Sequence, residues 1–236
     1  MEFFDSHSHY NDEQFNEDRE EIIEETYKEG ITRFVCAGYD LESSKLAIEI
    51  ANEHEFIYTI SPNDVPENAE EIDSWLQELE EILKNDKNNK IVAVGEIGLD
   101  YHWNQENKEI QKEMFIKQIE LANKYNKPIV IHTREAVDDT LKILRENNVN
   151  NKGIFHCCPL NRELVRQGLD LGFYISFAGP ITFKNSKNAE EIVNMVPLDK
   201  ALIETDSPYL APEPKRGTRN DSRNVKYIAE KIAEFK

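Results

Sequence analysis

The sequence predicts a single (β/α)8 barrel. Three observations point there: eight short apolar runs of strand length, longer helix-period segments between them, and a chain of 236 residues, near the roughly 250 typical of that fold. The runs are hydrophobic almost throughout instead of alternating, as parallel strands covered on both faces must be. A doubly wound sheet is the competing arrangement. No glycine-rich phosphate loop follows the first strand, which counts against it.

Taken in order, EFFD (2–5) is the first strand, and the helical segment after it ends at Gly30 before RFVCAG (33–38). FIYTI (56–60) and IVAVGEIG (91–98) follow. Residues 106–126 then place Ile110, Met114, Ile119, Ala122 and Tyr125 at helical spacing. Asn126-Lys127-Pro128 closes that helix, because the residue before a proline is driven out of the helical region, and PIVIHT (128–133) begins at once. Val137, Leu141 and Leu144 give a helix over 136–144. GIFHC (153–157), a helix expected to end at Gly168, GFYISFA (172–178) and ALIETD (201–206) complete the series, and Ser207-Pro208 breaks the last strand. No linker, repeat or low-complexity stretch divides the chain beyond an acidic, Asn-rich tract around 84–90. Residues 1–236 therefore read as one domain.

Acidic residues number 46 against 28 basic ones, a net charge of −18. That balance reads as a solvated acidic exterior and opposes a nucleic-acid partner unless a bound cation or a local basic patch reverses the field. No apolar run has bilayer length, and the N-terminus lacks a basic segment followed by an apolar one. Three cysteines, two of them adjacent, make no disulfide framework. A cytoplasmic location is expected.

Chemistry-bearing residues gather at the C-terminal ends of the expected strands. His7 and His9, two apart, project to the same side of an extended strand. Glu96 follows a fully apolar run, His132 and Arg134 close IVIHTR, and His156 sits in FHC. Glu204 and Asp206 share a face in LIETDSP. In a barrel these ends converge on one rim, where active sites are built. Four imidazoles and up to three carboxylates suit a divalent cation, with imidazole favouring Zn, Mn, Fe or Ni and carboxylate widening the choice to Mg. Six ligands exceed what one catalytic ion with an open position takes, so two ions are expected, with Glu96 sharing its two oxygens between them.

DSHSHY, GEIGLDY, IVIHTREA, FHC, GFYISFAGPITFKN, LIETDSPYLAPEP and KRGTRND closely resemble the TatD family of metal-dependent hydrolases, nearly from end to end. The resemblance implies an amidohydrolase-like barrel and a two-metal deoxyribonuclease, largely exonucleolytic, acting on single-stranded DNA or DNA ends. By position, His7, His9 and Asp206 match the ligands of the first ion, Glu96 the bridge, and His132 and His156 the ligands of the second. Asp206 also reads as a proton acceptor and Glu204 as an orienting residue. Arg134 and the segment containing Lys215, Arg216, Arg219, Arg223 and Lys226 read as holders of flanking phosphates. For that segment, a solvated basic helix start is the alternative.

This chain leaves the family pattern at three places. Thr59-Ile60-Ser61-Pro62 puts Ser61 where members usually carry histidine, and Cys157-Cys158-Pro159-Leu160 replaces a small polar turn by a stiff apolar one. The chain also stops at Ala233-Glu234-Phe235-Lys236, before a final helix common in the family. The competing functions are a metal-dependent hydrolase of a small phosphoester, ester or amide, and a metal-binding protein with little catalysis.

Overall fold

The computed structural model describes residues 2–61, 65–103 and 105–236, with the backbone alone for Ile60 and Ser61. The departure read at Ser61-Pro62 therefore lies outside the described residues. Among the described residues, eight parallel strands alternate with eight α-helices, and the strands pair in sequence order. The strands are β1 (Phe3–Ser8), β2 (Ile31–Ala37), β3 (Ile57–Ser61), β4 (Ile91–Asp100), β5 (Ile129–Arg134), β6 (Gly153–Phe155), β7 (Tyr174–Phe177) and β8 (Ala201–Ile203). Between and after them run α1 (Arg19–Lys28), α2 (Leu41–Glu53), α3 (Ile72–Lys84), α4 (Lys108–Lys124), α5 (Val137–Glu146), α6 (Arg162–Asp170), α7 (Ala189–Met195) and α8 (Val225–Phe235).

Side-chain alternation divides the core. Along β2, Phe34 and Cys36 pack outward with the helices, whereas Val35 and Ala37 join Ala93 of β4 and Val130 of β5 in a separate cluster. Only the barrel interior brings those three strands together, so this small cluster is its filling. Local chemistry sets the helix limits. The Asp40 carboxylate accepts from the Ser43 N–H at 2.6 Å while the Ser43 hydroxyl receives the Asp40 N–H, a reciprocal cap on α2. Asn161 caps α6 in the simpler way, through the Leu164 N–H.

Two sequence expectations change. Gly168 does not end a helix; it lies inside α6, where a Cβ would stand 2.8 Å from the Phe155 ring. The glycine past the end of α6 is Gly172, at φ 93°, as Gly30 is for α1 at φ 94°. The last strand stops at Ile203, and Glu204 to Asp206 continue as irregular backbone, with Asp206 at φ 56°. That backbone still joins the sheet. Asp206 N–H donates to the His7 carbonyl at 2.9 Å and His9 N–H to the Ser207 carbonyl at 2.7 Å, completing the ring against β1.

Asp5 ties this closure together. Its buried carboxylate accepts from the Thr205 N–H (2.9 Å), the Thr205 hydroxyl (2.5 Å), the Ser222 hydroxyl (2.5 Å) and the His7 N–H (3.3 Å). Burial outweighs these donors and pushes its pKa up to about 7. Truncation to alanine strands several buried donors at once. Asp5→Ala is expected to destabilise the fold by about 3 kcal/mol, read as a lowered midpoint in urea at unchanged slope.

Candidate metal centre

Glu96 is the hub of the rim. The last residues of β4 carry it into the barrel mouth, 6 % exposed, between two pairs of imidazoles. Its Oε2 lies 3.3 Å from His7 Nε2 and 3.8 Å from His9 Nε2, both from the end of β1. Its Oε1 lies 2.8 Å from His156 Nε2 and 3.3 Å from His132 Nδ1, at the ends of β6 and β5. Asp206 Oδ1 closes the first side, 3.2 Å from His9 Nε2 and 3.7 Å from His7 Nε2.

Outer partners decide which nitrogen each ring presents. His9 Nδ1 meets the Ala37 carbonyl at 2.9 Å, an acceptor that requires the proton there and leaves the Nε2 lone pair facing inward. His132 is turned the other way. Its Nε2 is held by Asp100 Oδ2 at 2.9 Å, so Nδ1 points to the centre. Glu204, wholly buried, lies 3.2 Å from His156 Nδ1 and also accepts the Cys157 N–H at 2.5 Å. Such carboxylate–histidine pairs are what holds metal-binding imidazoles in place.

The donor set fits a cation. Inward-facing nitrogens approach one another closely, His7 Nε2 to His9 Nε2 at 3.2 Å and His132 Nδ1 to His156 Nε2 at 3.4 Å. Lone pairs so crowded repel unless a proton or a metal ion sits among them. Two groups of three donors that share Glu96 lie close enough to hold an ion, His7–His9–Glu96 and Glu96–His132–His156, and a third joins His7, His156 and Asp206. Two of the four described buried polar side-chain atoms with no partner, His7 Nδ1 and Glu204 Oε2, also belong here.

Electrostatics follow from the same contacts. Burial disfavours the Glu96 carboxylate, but the surrounding imidazoles, His156 and His7 foremost, hold its pKa well below the usual range. For Asp206 burial likewise opposes ionisation, and the His9 hydrogen bond with its neighbours brings the pKa down to about 2. Burial lowers the His7 pKa. In His156 burial is overcome by Glu96 and Glu204, which raise the pKa well above the free value. The two carboxylates therefore favour the protonated form of His156. The Cys157 and Cys158 thiols are both pushed up by burial, which removes the thiolate that thiol chemistry needs.

Around this centre lies a cavity of about 660 Å³, bordered by His9, Glu96, His132, His156 and Asp206 within, and by Tyr39, Trp103, Arg134, Cys157, Pro159 and Tyr209 towards the rim. Arg134 is thus at the mouth, its guanidinium 5.4 Å from the Trp103 ring. Arg216 and Arg219, expected on the substrate, are not among the lining residues. Arg219 is committed to the Asp18 carboxylate through both guanidinium nitrogens (2.5 and 2.9 Å), and Arg216 lies 3.8 Å over the Phe183 ring. Arg223 and Lys226 face Glu25 and Glu29. Of the adjacent cysteines, Cys158 packs in the core and Cys157 lines the cavity. Asp100, within GEIGLDY, is a further residue of the site that the strand pattern did not single out. A second carboxylate four residues beyond Glu96, ending the same apolar strand, is the signal that would have found it.

Gly98 sets how near β4 approaches His132. It pairs with His132 across the β4–β5 ladder, at φ 135°, and a Cβ there would stand 2.1 Å from the His132 carbonyl oxygen. Gly98→Ala must push β5 outward, and Asp100→Asn loosens the same ring. Each is expected to lower metal affinity about 10- to 100-fold, measured as ion content after dialysis against graded chelator. Metal binding to the stripped protein should release protons and tighten as pH rises, since the bound proton on His156 must leave. Calorimetry in two buffers of different ionisation enthalpy reads that release.

The comparisons with known proteins agree with this geometry. The family described as TatD related DNase matches residues 4–236. The uncharacterized metal-dependent hydrolase YabD of Bacillus subtilis (strain 168) is 44 % identical over 237 residues, covering 99 % of this chain and 91 % of its own length. YcfH of Escherichia coli (strain K12), also named as an uncharacterized metal-dependent hydrolase, is 48 % identical over 147 residues, 62 % of this chain and 56 % of the relative. Among solved structures, YjjV, a TatD homolog from Escherichia coli K12, has the same fold, with a TM-score of 0.88 at 23 % identity over 99 % of this chain and 90 % of that one. With a family match over almost its whole length, the chain belongs to the TatD-related DNase family of metal-dependent hydrolases.

Proposed function

We propose that this chain hydrolyses the phosphodiester bonds of DNA, releasing nucleotides from an end, with two divalent cations held by His7, His9, Glu96, His132, His156 and Asp206. One observation carries the reading. A single carboxylate turns one oxygen to His7 and His9 and the other to His132 and His156, the arrangement required of a bridge between paired ions. Magnesium, manganese, zinc and nickel all accept such a ligand set. What paired cations supply when bound is a water of lowered pKa and neutralisation of charge on the phosphoryl oxygens.

The chain's own groups do the rest. Asp206 is ionised at any ordinary pH and lies at the inner edge of the cavity, so it accepts the proton that the attacking water gives up. Glu204 keeps the His156 ring turned inward from a position no substrate reaches, being 0 % exposed. Arg134 has no carboxylate partner among the described residues, so its guanidinium is available to a phosphoryl oxygen. The family's description as a DNase supports the substrate.

A second reading, hydrolysis of a small phosphoester, is favoured by the net charge of −18 and by Arg134 being the sole Lys or Arg among the described lining residues. The test is protein purified without chelator, supplied with Mg²⁺ or Mn²⁺ and given end-labelled single-stranded DNA. Progressive shortening that EDTA abolishes is the expected result. Turnover of bis(p-nitrophenyl) phosphate with intact DNA would move the assignment to the second reading. Glu96→Gln is expected to lower kcat at least about 100-fold, on the order of 3 kcal/mol of transition-state stabilisation, together with bound metal.

A further inference from the structure

We infer that the cavity mouth carries two nucleobase-stacking platforms, Trp103 on one side of the metal centre and Tyr39 with Tyr209 on the other, and that stacking, not a basic groove, selects the substrate. The inference rests on the phosphodiesterase reading and names the part of the substrate that the mouth recognises.

Trp103 is 78 % exposed, the most exposed of the described large hydrophobic side chains. An indole left in water contributes nothing to the core, yet the backbone that carries this one is anchored beside the centre. The Trp103 backbone N–H donates to Asp100 Oδ1 at 3.1 Å, and the other oxygen of that carboxylate lies 2.9 Å from His132 Nε2. One side chain therefore sets both the His132 ring and the backbone position of Trp103. Arg134, the cation on the rim, lies 5.4 Å over the indole and stiffens it further.

Across the centre, the rings of Tyr39 and Tyr209 stand 5.9 and 6.3 Å from the His9 ring. They are 40 % and 47 % exposed. The Tyr209 hydroxyl donates to Asp12 Oδ2 at 2.5 Å, which fixes that ring's direction. All three aromatics line the same cavity, so a phosphodiester seated at Glu96 has an aromatic face available on each side.

Charge decides between stacking and backbone tracking. A groove that follows the phosphate chain needs several Lys or Arg contacts, whereas the described lining offers Arg134 alone in a protein of net charge −18. Base–aromatic stacking tolerates any sequence and requires an unpaired base. The footprint is accordingly short: the nucleotides flanking the scissile bond. The logarithm of kcat/KM should vary with the logarithm of salt concentration with a slope no steeper than about −1, given roughly one phosphate contact.

Steady-state kinetics of the metal-loaded wild type, Trp103→Ala, Trp103→Phe and Tyr39→Ala test this on short single-stranded oligonucleotides. Matching substrates carry a tetrahydrofuran abasic unit on one or the other side of the cleaved bond. Trp103→Ala is expected to raise KM about 5- to 100-fold, the range of one lost base stack, with kcat and metal content little changed. Trp103→Phe should restore most of the loss. The abasic unit on the Trp103 side should weaken the wild type by a similar factor and leave Trp103→Ala unaffected, with Tyr39→Ala behaving likewise for the opposite side. Unaltered KM in both alanine variants, or a defect equally large on abasic and normal substrates, overturns the stacking assignment while the nuclease reading stands. No cleavage of any oligonucleotide by the metal-loaded wild type defeats the nuclease reading, and the stacking assignment with it.

Discussion

The structure turns on one buried carboxylate facing four imidazoles. Glu96 sits where burial alone would neutralise it, and His7, His9, His132 and His156 hold it ionised instead. The dependence is mutual. Without Glu96 the rings crowd lone pair against lone pair. Without the rings, an unpaired charge remains in a low-dielectric site, a cost of several kcal/mol. A cation among these donors would satisfy both at once, and the donor set fits one.

That centre depends on a surrounding set of acceptors whose task is orientation. Ala37, Asp100 and Glu204 each take the outer nitrogen of one ring, and they come from three different strand ends. The His132 ring presents Nδ1 while its partners present Nε2, and the difference follows from where its acceptor stands. Asp5 performs the corresponding task for the backbone, gathering Thr205, Ser222 and His7 so that the irregular segment after β8 meets β1. Asp206 reaches the centre only because that segment is held.

Much of this was legible in the sequence. Apolar runs of strand length alternating with helical spacing identified the barrel, and all eight strands appear within a few residues of the positions expected. Because barrel strands end on one rim, the residues following the apolar runs had to meet, so His7, His9, Glu96, His132, His156 and Asp206 could be grouped without coordinates. Other readings failed for specific reasons. Gly168 looked like a helix end, but its lack of a side chain serves the Phe155 ring packed against α6. Arg219 looked like a phosphate ligand because a sequence displays charge without displaying the Asp18 carboxylate that occupies it.

By itself, then, the sequence determined the order of the strands, the identity of the converging donors and the class of ion they suit. These depend on residue type and on periodicity, both of which are local. Tertiary structure decided which oxygen of Glu96 faces which histidines, which nitrogen each ring presents, which cations remain free and which aromatics stand at the mouth. Those are properties of pairs of atoms far apart in the chain. A hydrogen bond from His132 to Asp100, or a fork from Arg219 to Asp18, exists only once the fold has brought its two ends within about 3 Å.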